Sequence, residues 1–284
     1  MAERSWDPDE VAEHFRADGY AVARGVFNAE EVAWIAAAFD RQWAEGMAHR
    51  ASFRHGNLLY RQGQDANLGK ILRLAQWPSY SDPVLEKVRR DPRYLELLGP
   101  LLGRNMKQII NQLHWKPPGA AQAEFAFHQD VRFRRPAEAY RNLGESYVQT
   151  GIAVDRHTAK SGAMRVLPGS QALGAVDLES PARILDGKMA GEALAGAGLD
   201  PTHLVDLELE PGDVALWGVF TIHGSGVNVT AQDRRFYLNG YVRADDCDRG
   251  EWAFRDGVPQ KLGEPVLVHY EDLLNRPEPH YLEP

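Results

Sequence analysis

The sequence contains a single cysteine, Cys247, among its 284 residues. One thiol cannot form a disulfide within the chain, so nothing in the sequence requires an oxidising compartment. The shortage of cysteine also excludes cysteine-rich zinc sites and iron–sulfur clusters.

Long apolar runs are missing as well. No stretch approaches the ~20 consecutive apolar residues that a membrane-spanning helix needs. The first residues, Met1 to Pro8, do not show a basic region followed by an apolar run, so the sequence indicates no signal peptide. We therefore expect a cytoplasmic protein without membrane contact.

An excess of basic charge is the third absence. The formal net charge is -8 and the isoelectric point is about 5.7. An acidic surface argues against non-specific binding to nucleic acid or to anionic membranes. It does not exclude an anionic small-molecule substrate, because one cavity can be locally basic. The expected partner is a small molecule, and the sequence does not fix the oligomeric state.

The first hundred residues carry helix patterns. An N-cap residue followed by proline, or a capping box, indicates helix starts at Asp7-Pro8, Asn28 to Glu31, Asp82-Pro83 and Asp91-Pro92. Apolar residues then follow at helical spacing. We predict that residues 1–105 form a mostly helical buttress.

After about residue 106 the segments become short, β-branched and aromatic, with glycine and proline between them. The candidate strands are Lys107–Trp115, Phe125–Phe133, Tyr147–Val154, Ala163–Leu167, Leu204–Glu210, Asp213–Trp217 and Arg235–Val242. Such a series predicts a sandwich or jelly roll. We expect one domain over residues 1–284, with a β core at 106–245, an insertion near 180–201 and a C-terminal extension at 246–284.

Among the ten histidines, His128 stands two residues before a carboxylate, Asp130, in a strand-like context. Residues i and i+2 of a strand point to the same face, so the two side chains can offer ligand atoms to one metal ion. His269 and Glu271 have the same spacing. Too little strand-forming sequence follows them to complete a site, so we interpret them as packing residues.

A second histidine, His223, follows an apolar strand far downstream. Two histidines and one carboxylate form the facial triad of non-haem iron(II) oxygenases, which leaves open positions on the metal. Arg234 comes eleven residues after His223, and a guanidinium is a bidentate partner for a carboxylate. It is suited to hold the far carboxylate of a keto acid that chelates the iron.

Other interpretations use the same residues. Taken alone, the His128 and Asp130 pair is a weak signal and is also explained by a satisfied core histidine beside a capping aspartate. A cupin-like isomerase or hydrolase can use the same metal ligands without 2-oxoglutarate and has no need of Arg234. A non-catalytic binding protein of the same fold is the third alternative.

Several motifs together resemble the phytanoyl-CoA dioxygenase family. They are the His128-Gln-Asp130 triplet, the segment Ser161–Ser170, the run from His223 through Ser225 and Asn228 to Thr230 with Arg234 after it, and the N-terminal pattern from Phe15 to Val22. The resemblance covers roughly residues 10 to 245. The combination is specific, although each piece alone is not.

The resemblance implies a double-stranded β-helix with flanking helices and an iron(II) ion held by His128, Asp130 and His223. It implies that Arg234 binds 2-oxoglutarate, with Ser225 and Gln112 as further cosubstrate contacts. Dioxygen is then the oxidant, and succinate and carbon dioxide are released. Because Asp130 stands where related halogenases have a small residue, hydroxylation of a C–H bond is the expected outcome.

The substrate residues are less constrained. Arg132 and Arg134 continue the face of His128 if the strand stays regular, and they are suited to an anionic substrate group. Alternatively, both arginines are solvent-exposed basic residues at an edge of the structure and do not contact the substrate. Asn111 and His114 are further candidates for the cavity wall. Lys188, in the insertion near 180–201, is a candidate lid residue.

Overall fold

Two antiparallel sheets carry the fold. The computed structural model describes residues 5–121, 124–178, 191–265, 276 and 278–282. Within these ranges the helices are α1 Pro8–Asp18, α2 Ala29–Ala48, α3 Pro83–Val88, α4 Pro92–Leu102, α5 Leu143–Ser146 and α6 Gly191–Gly196. The strands before the ligand residues are β1 Tyr20–Ala23, β2 Phe53–His55, β3 Leu58–Asp65, β4 Gly69–Gln76 and β5 Met106–Lys116.

The remaining strands are divided between the two sheets. They are β6 Phe125–His128, β7 Tyr147–Ala153, β8 Met164–Val166, β9 Val205–Asp206, β10 Val214–Trp217, β11 His223–Ser225, β12 Arg234–Arg243, β13 Glu251–Arg255, β14 Val258–Pro259 and β15 His280–Tyr281. The main sheet runs β1-β10-β7-β12-β5-β4-β3-β2-β15, with β13 on β5 and β14 on β13. The small sheet runs β6-β11-β8-β9. The predicted jelly-roll core with flanking helices is confirmed.

The helices begin where the sequence predicts. Asp7 caps α1 through its carboxylate, and the capping box of Asn28 and Glu31 starts α2. Their apolar faces pack on one face of the main sheet, where Leu113, Tyr237 and Tyr241 belong to the same core. Because side chains alternate along a strand, the other face of β5 and β12 is turned toward the small sheet.

The prediction for residues 1–105 missed part of the main sheet. Strands β2, β3 and β4 lie there, and β4 pairs with β5. Their sequence is poor in β-branched residues, since Ile71 is the only one between Leu58 and Gln76. Pairing with the rest of the sheet therefore outweighs weak local preference. Residues beyond 246 also join the main sheet, through β13, β14 and β15.

Two predicted strands are shorter than expected. The strand that begins at Phe125 ends at His128, and Asp130–Phe133 forms a 3₁₀ turn. Only Val205–Asp206 is strand in the predicted segment Leu204–Glu210. The regular strand that would align Arg132 and Arg134 with His128 is therefore absent.

The structure describes residues 191–201 of the predicted insertion. Lys188 and the other residues of 179–190 lie outside the described residues, as do His269 and Glu271. Leu194, on α6, is buried against Phe127 and Ile222, which flank the predicted metal ligands in sequence. Over the described parts of the chain, no helix combines the length and hydropathy needed to cross a membrane.

The fit of β7 against β12 gives a stability prediction. A Cβ atom on Gly151 would lie 2.2 Å from Cζ of Phe236, whereas one on Gly99, in α4, would have no neighbour within 4 Å. Gly151→Ala should lower the free energy of unfolding by about 1–3 kcal/mol through overpacking. The matched change Gly99→Ala meets no such contact, and because Pro100 restricts the residue before it, the free energy of unfolding should change by less than about 0.5 kcal/mol. Urea titration measures both, and an unchanged midpoint for Gly151→Ala would contradict this packing.

Candidate active site

The pairing of β6 with β11 brings the two predicted histidine ligands together. His223 is the direct cross-strand partner of His128, and their ring centroids are 4.2 Å apart. The 3₁₀ turn after β6 carries Asp130 back toward them, with Oδ1 at 3.9 Å from His128 Nε2. One ligand atom from each of the three residues lies within 4.8 Å of the others, so they could hold one metal ion.

Backbone carbonyls fix the orientation of both imidazoles. His128 Nδ1 lies 2.8 Å from the carbonyl oxygen of Ala126, and His223 Nδ1 lies 2.9 Å from that of Thr221. Each carbonyl accepts a hydrogen bond from Nδ1–H, which leaves the Nε2 lone pair for a metal. Burial, and then the neighbouring His223, lower the pKa of His128 to about 3, so this imidazole is neutral.

The carboxylate ligand is held by a tryptophan. The indole Nε1–H of Trp217 donates to Oδ2 of Asp130 at 3.1 Å. Burial raises the pKa of Asp130, but the nearby His223 and Arg134 outweigh it, and the pKa is lowered overall. Asp130 is therefore ionised, and one of its oxygens is fixed while the other faces the histidines.

The triad faces a cavity of about 350 Å³. Its wall combines the inner face of the main sheet with the small sheet. The polar residues that line it are Arg61, Gln76, Gln112, His114, His128, Asp130, Arg134, Gln149, His223, Ser225 and Arg234. Among the described lining residues, three are arginine and Asp130 alone is a carboxylate. The cavity is therefore locally basic in an acidic protein, as the sequence allowed.

Arg234 begins β12 and is only 3% exposed. Burial lowers the pKa of its guanidinium to about 9. No hydrogen bond or salt bridge reaches this side chain from the described residues, and its buried Nε has no partner among them. A buried guanidinium without an anion is costly. The site therefore fits a carboxylate-bearing ligand.

The two other predicted cosubstrate residues line the same cavity. Ser225 ends β11, two residues after His223, and its hydroxyl oxygen accepts a hydrogen bond from Lys116 at 2.7 Å. Gln112 lies on β5, where its Oε1 is 2.9 Å from His114 Nε2. A keto acid chelating a metal at the triad would have Arg234 and Ser225 on the same wall.

The predicted substrate residues divide into two groups. His114 and Arg134 line the cavity, whereas Arg132 does not. Asn111 does not line it either, because its amide is on the opposite face of β5 and donates to Tyr237 and Asn239. Asn111 is adjacent to Gln112, so strand alternation prevents both side chains from facing the cavity.

Three polar lining residues were missed by the sequence analysis: Arg61, Gln76 and Gln149. Arg61 and Gln76 lie on β3 and β4, the hairpin that the helical prediction for this region overlooked. Trp217, the last residue of the predicted strand Asp213–Trp217, also holds a predicted metal ligand through its hydrogen bond to Asp130. The indole can donate one hydrogen bond, and sequence alone does not name its acceptor.

Comparison with known proteins matches this chain to one family. The family model described as "Phytanoyl-CoA dioxygenase (PhyH)" matches residues 15–236, which contain the triad and Arg234. A protein of Stutzerimonas stutzeri named "Probable alpha-ketoglutarate-dependent hypophosphite dioxygenase" is 30% identical over 80% of this chain and 76% of its own.

Two further matches have lower sequence identity. A "2-aminoethylphosphonate dioxygenase" from Uncultured bacterium HF130_AEPn_1 is 25% identical over 56% of this chain and 55% of its own. Among solved structures, EctD from S. alaskensis with 2-oxoglutarate and 5-hydroxyectoine aligns with a TM-score of 0.63 at 20% identity, covering 95% of this chain and 90% of that one. This likeness supports the fold.

The cluster of ligand atoms predicts one divalent-ion site per chain. His128→Ala should abolish stoichiometric binding of iron(II) or manganese(II), because it removes one of three protein ligands. His14→Ala is the matched control, since His14 Nε2 also lies close to a carboxylate, 3.0 Å from Asp18, but at an exposed site. Anaerobic calorimetry with manganese(II) measures both. Equal metal binding by the two variants would contradict the site.

Proposed function

The chain belongs to the phytanoyl-CoA dioxygenase family of iron(II)- and 2-oxoglutarate-dependent oxygenases, and we propose that His128, Asp130 and His223 hold the iron while Arg234 binds the cosubstrate. The observation that supports this most strongly is the shared cavity. It combines three convergent ligand atoms with a buried guanidinium that forms no salt bridge with the described residues. A metal alone would not require the guanidinium, whereas a chelating dicarboxylate uses both.

The bound iron and 2-oxoglutarate supply the oxidising chemistry, with dioxygen as oxidant and succinate and carbon dioxide as products. The chain supplies position and environment. Arg234 and Ser225 would orient the distal carboxylate, and Gln112 would contact the cosubstrate from β5. Trp217 fixes Asp130 so that the ligand set keeps its geometry. Because Asp130 occupies its ligand position, we propose oxygen transfer, with hydroxylation of a C–H bond as the outcome.

We propose a small anionic metabolite as the substrate. Arg61 and Arg134 contribute positive charge to the cavity in addition to Arg234, and Asp130 is the one carboxylate among its described lining residues. The volume of about 350 Å³ suits a small molecule. Two relatives carry names with phosphorus oxyanion substrates, hypophosphite and 2-aminoethylphosphonate, which supports testing this chemical class first.

Anaerobic titration with 2-oxoglutarate tests the cosubstrate site. The iron(II)-loaded protein should develop the weak visible charge-transfer band of the chelate. Arg234→Met should weaken binding by about 10- to 100-fold, because a charged hydrogen-bond partner contributes about 1.5–3 kcal/mol. Arg235→Met is the control, since Arg235 is the next residue on β12 and pairs with Asp155 instead.

If iron-loaded wild-type protein shows no band, the oxygenase proposal fails. The cupin-like isomerase or hydrolase without 2-oxoglutarate would then be the interpretation to pursue.

The substrate class is tested by turnover. Succinate formation should be stimulated by small phosphorus oxyanions or carboxylates more than by neutral analogues of the same size. Arg61→Met should raise KM for an anionic substrate by about 10-fold or more, since it removes a charge-assisted contact. It should leave the affinity for 2-oxoglutarate unchanged.

Arg255→Met, which removes an exposed arginine stacked on Trp252, is the control for the loss of one positive charge. If both variants have the KM of the wild-type protein, Arg61 does not contact the substrate. Stimulation by neutral analogues alone would contradict an anionic substrate.

A further inference from the structure

A buried lysine lies beside the proposed cosubstrate site. Lys116 is the last residue of β5 and has no exposed surface. Its direct cross-strand partner on β12 is Arg234. Strand alternation places Lys116 on the same face as Gln112 and His114, which both line the cavity.

The hydrogen bonds of Lys116 Nζ are with oxygen atoms of neutral groups. Nζ donates to Ser225 Oγ at 2.7 Å, to the carbonyl oxygen of Gly226, and to that of Gly162 at 3.4 Å. It also lies 5.3 Å from the centroid of the Phe125 ring. Over the described ranges no carboxylate forms a salt bridge with it. Burial, and then the neighbouring Arg234, lower the pKa of Lys116, whereas Glu124 acts to raise it.

Two basic side chains therefore occupy opposed positions on neighbouring strands, and neither forms a salt bridge with a carboxylate in the described part of the chain. Like charges placed directly opposite each other destabilise a sheet. Removing them from water adds a desolvation cost. The arrangement is favourable if an anion binds between them and the small sheet. The distal carboxylate of 2-oxoglutarate is the anion that the proposed function brings to this wall.

The Ser225 hydroxyl connects Lys116 to that carboxylate. Lys116 Nζ donates to Ser225 Oγ and to two carbonyl oxygens, and only an ammonium group has three N–H donors for these three acceptors. An anion bound beside Lys116 favours this charged form over the neutral amine. The hydroxyl hydrogen of Ser225 is then directed elsewhere, and it has no acceptor among the described residues. Since Ser225 lines the cavity, its hydrogen can donate to a carboxylate held by Arg234.

We propose that Lys116 is a positioning residue for the cosubstrate, which acts through Ser225 to direct its hydroxyl hydrogen at the distal carboxylate and adds a second positive charge beside Arg234. This inference rests on the proposed function. It predicts that the cation at position 116 is needed for the affinity for 2-oxoglutarate and is not needed for the affinity for the metal.

The test compares dissociation constants for 2-oxoglutarate and for manganese(II). Lys116→Met, which keeps most of the aliphatic side chain, should weaken 2-oxoglutarate binding by about 10- to 100-fold, the range for loss of a charge-assisted hydrogen bond. Manganese(II) affinity should change by less than about twofold, within the uncertainty of additivity for separate sites. Lys107→Met is the matched control, because Lys107 is on the same strand and donates to the carbonyl oxygen of Cys247 at 2.6 Å.

A double-mutant cycle separates the positioning role from a merely structural one. Ser225→Ala removes the hydroxyl that Lys116 directs, so adding Lys116→Met to it should cost much less than Lys116→Met costs in the wild-type protein. Lys116→Gln keeps an N–H donor without the charge and should bind 2-oxoglutarate with intermediate affinity. It replaces Lys116→Met throughout the cycle if that variant does not fold.

Three results would overturn the inference. They are wild-type affinity for 2-oxoglutarate in both Lys116 variants, a matching loss of manganese(II) affinity, or full additivity with Ser225→Ala. Failure of the proposed function is recognised separately, because iron-loaded wild-type protein would then not bind 2-oxoglutarate at all.

Discussion

The register of β6 against β11 is the constraint on which the site depends. His128 and His223 are 95 residues apart in the sequence and become direct neighbours because these strands pair in the small sheet. Shifting this pairing by one residue would turn one imidazole to the other face. The pairing is backed by an apolar cluster in which Phe127 and Ile222, each adjacent in sequence to a ligand, pack together. The core therefore sets the position of the ligands.

The same strand alternation divides the polar residues of β5 and β12 into two functions. On the outer face, Asn111 and Asn239 form a buried network with Tyr237 under the helices. On the inner face, Gln112 and Arg234 reach the cavity. The Asn111 amide, the Tyr237 hydroxyl and the Asn239 amide oxygen have protein partners, whereas the guanidinium of Arg234 forms no hydrogen bond with the described residues. Groups satisfied by the protein stabilise the fold, and the unsatisfied ones are available to a ligand.

The sequence predicted the triad because its spacing has a geometric meaning in a strand and because a second histidine and an arginine followed. It predicted the jelly roll from the density of short strands. It did not predict where β6 ends, so Arg132 was placed on the ligand face although a 3₁₀ turn removes it. Arg61 was missed because β3 is held in place by its neighbours in the sheet, and local β-propensity does not indicate it.

The basic residues in and beside the cavity form two pairs at different positions. Lys116 and Arg234 lie opposite each other at the ends of their strands, and one carboxylate can compensate both of them. Arg134 approaches from the turn after β6, where it contacts Tyr147, and Arg61 reaches the cavity from β3. A dicarboxylate cosubstrate that chelates the metal and binds to the first pair would leave Arg61 and Arg134 in the remaining part of the cavity. The positive charge of these two arginines is the basis for the proposal that the substrate is an anion.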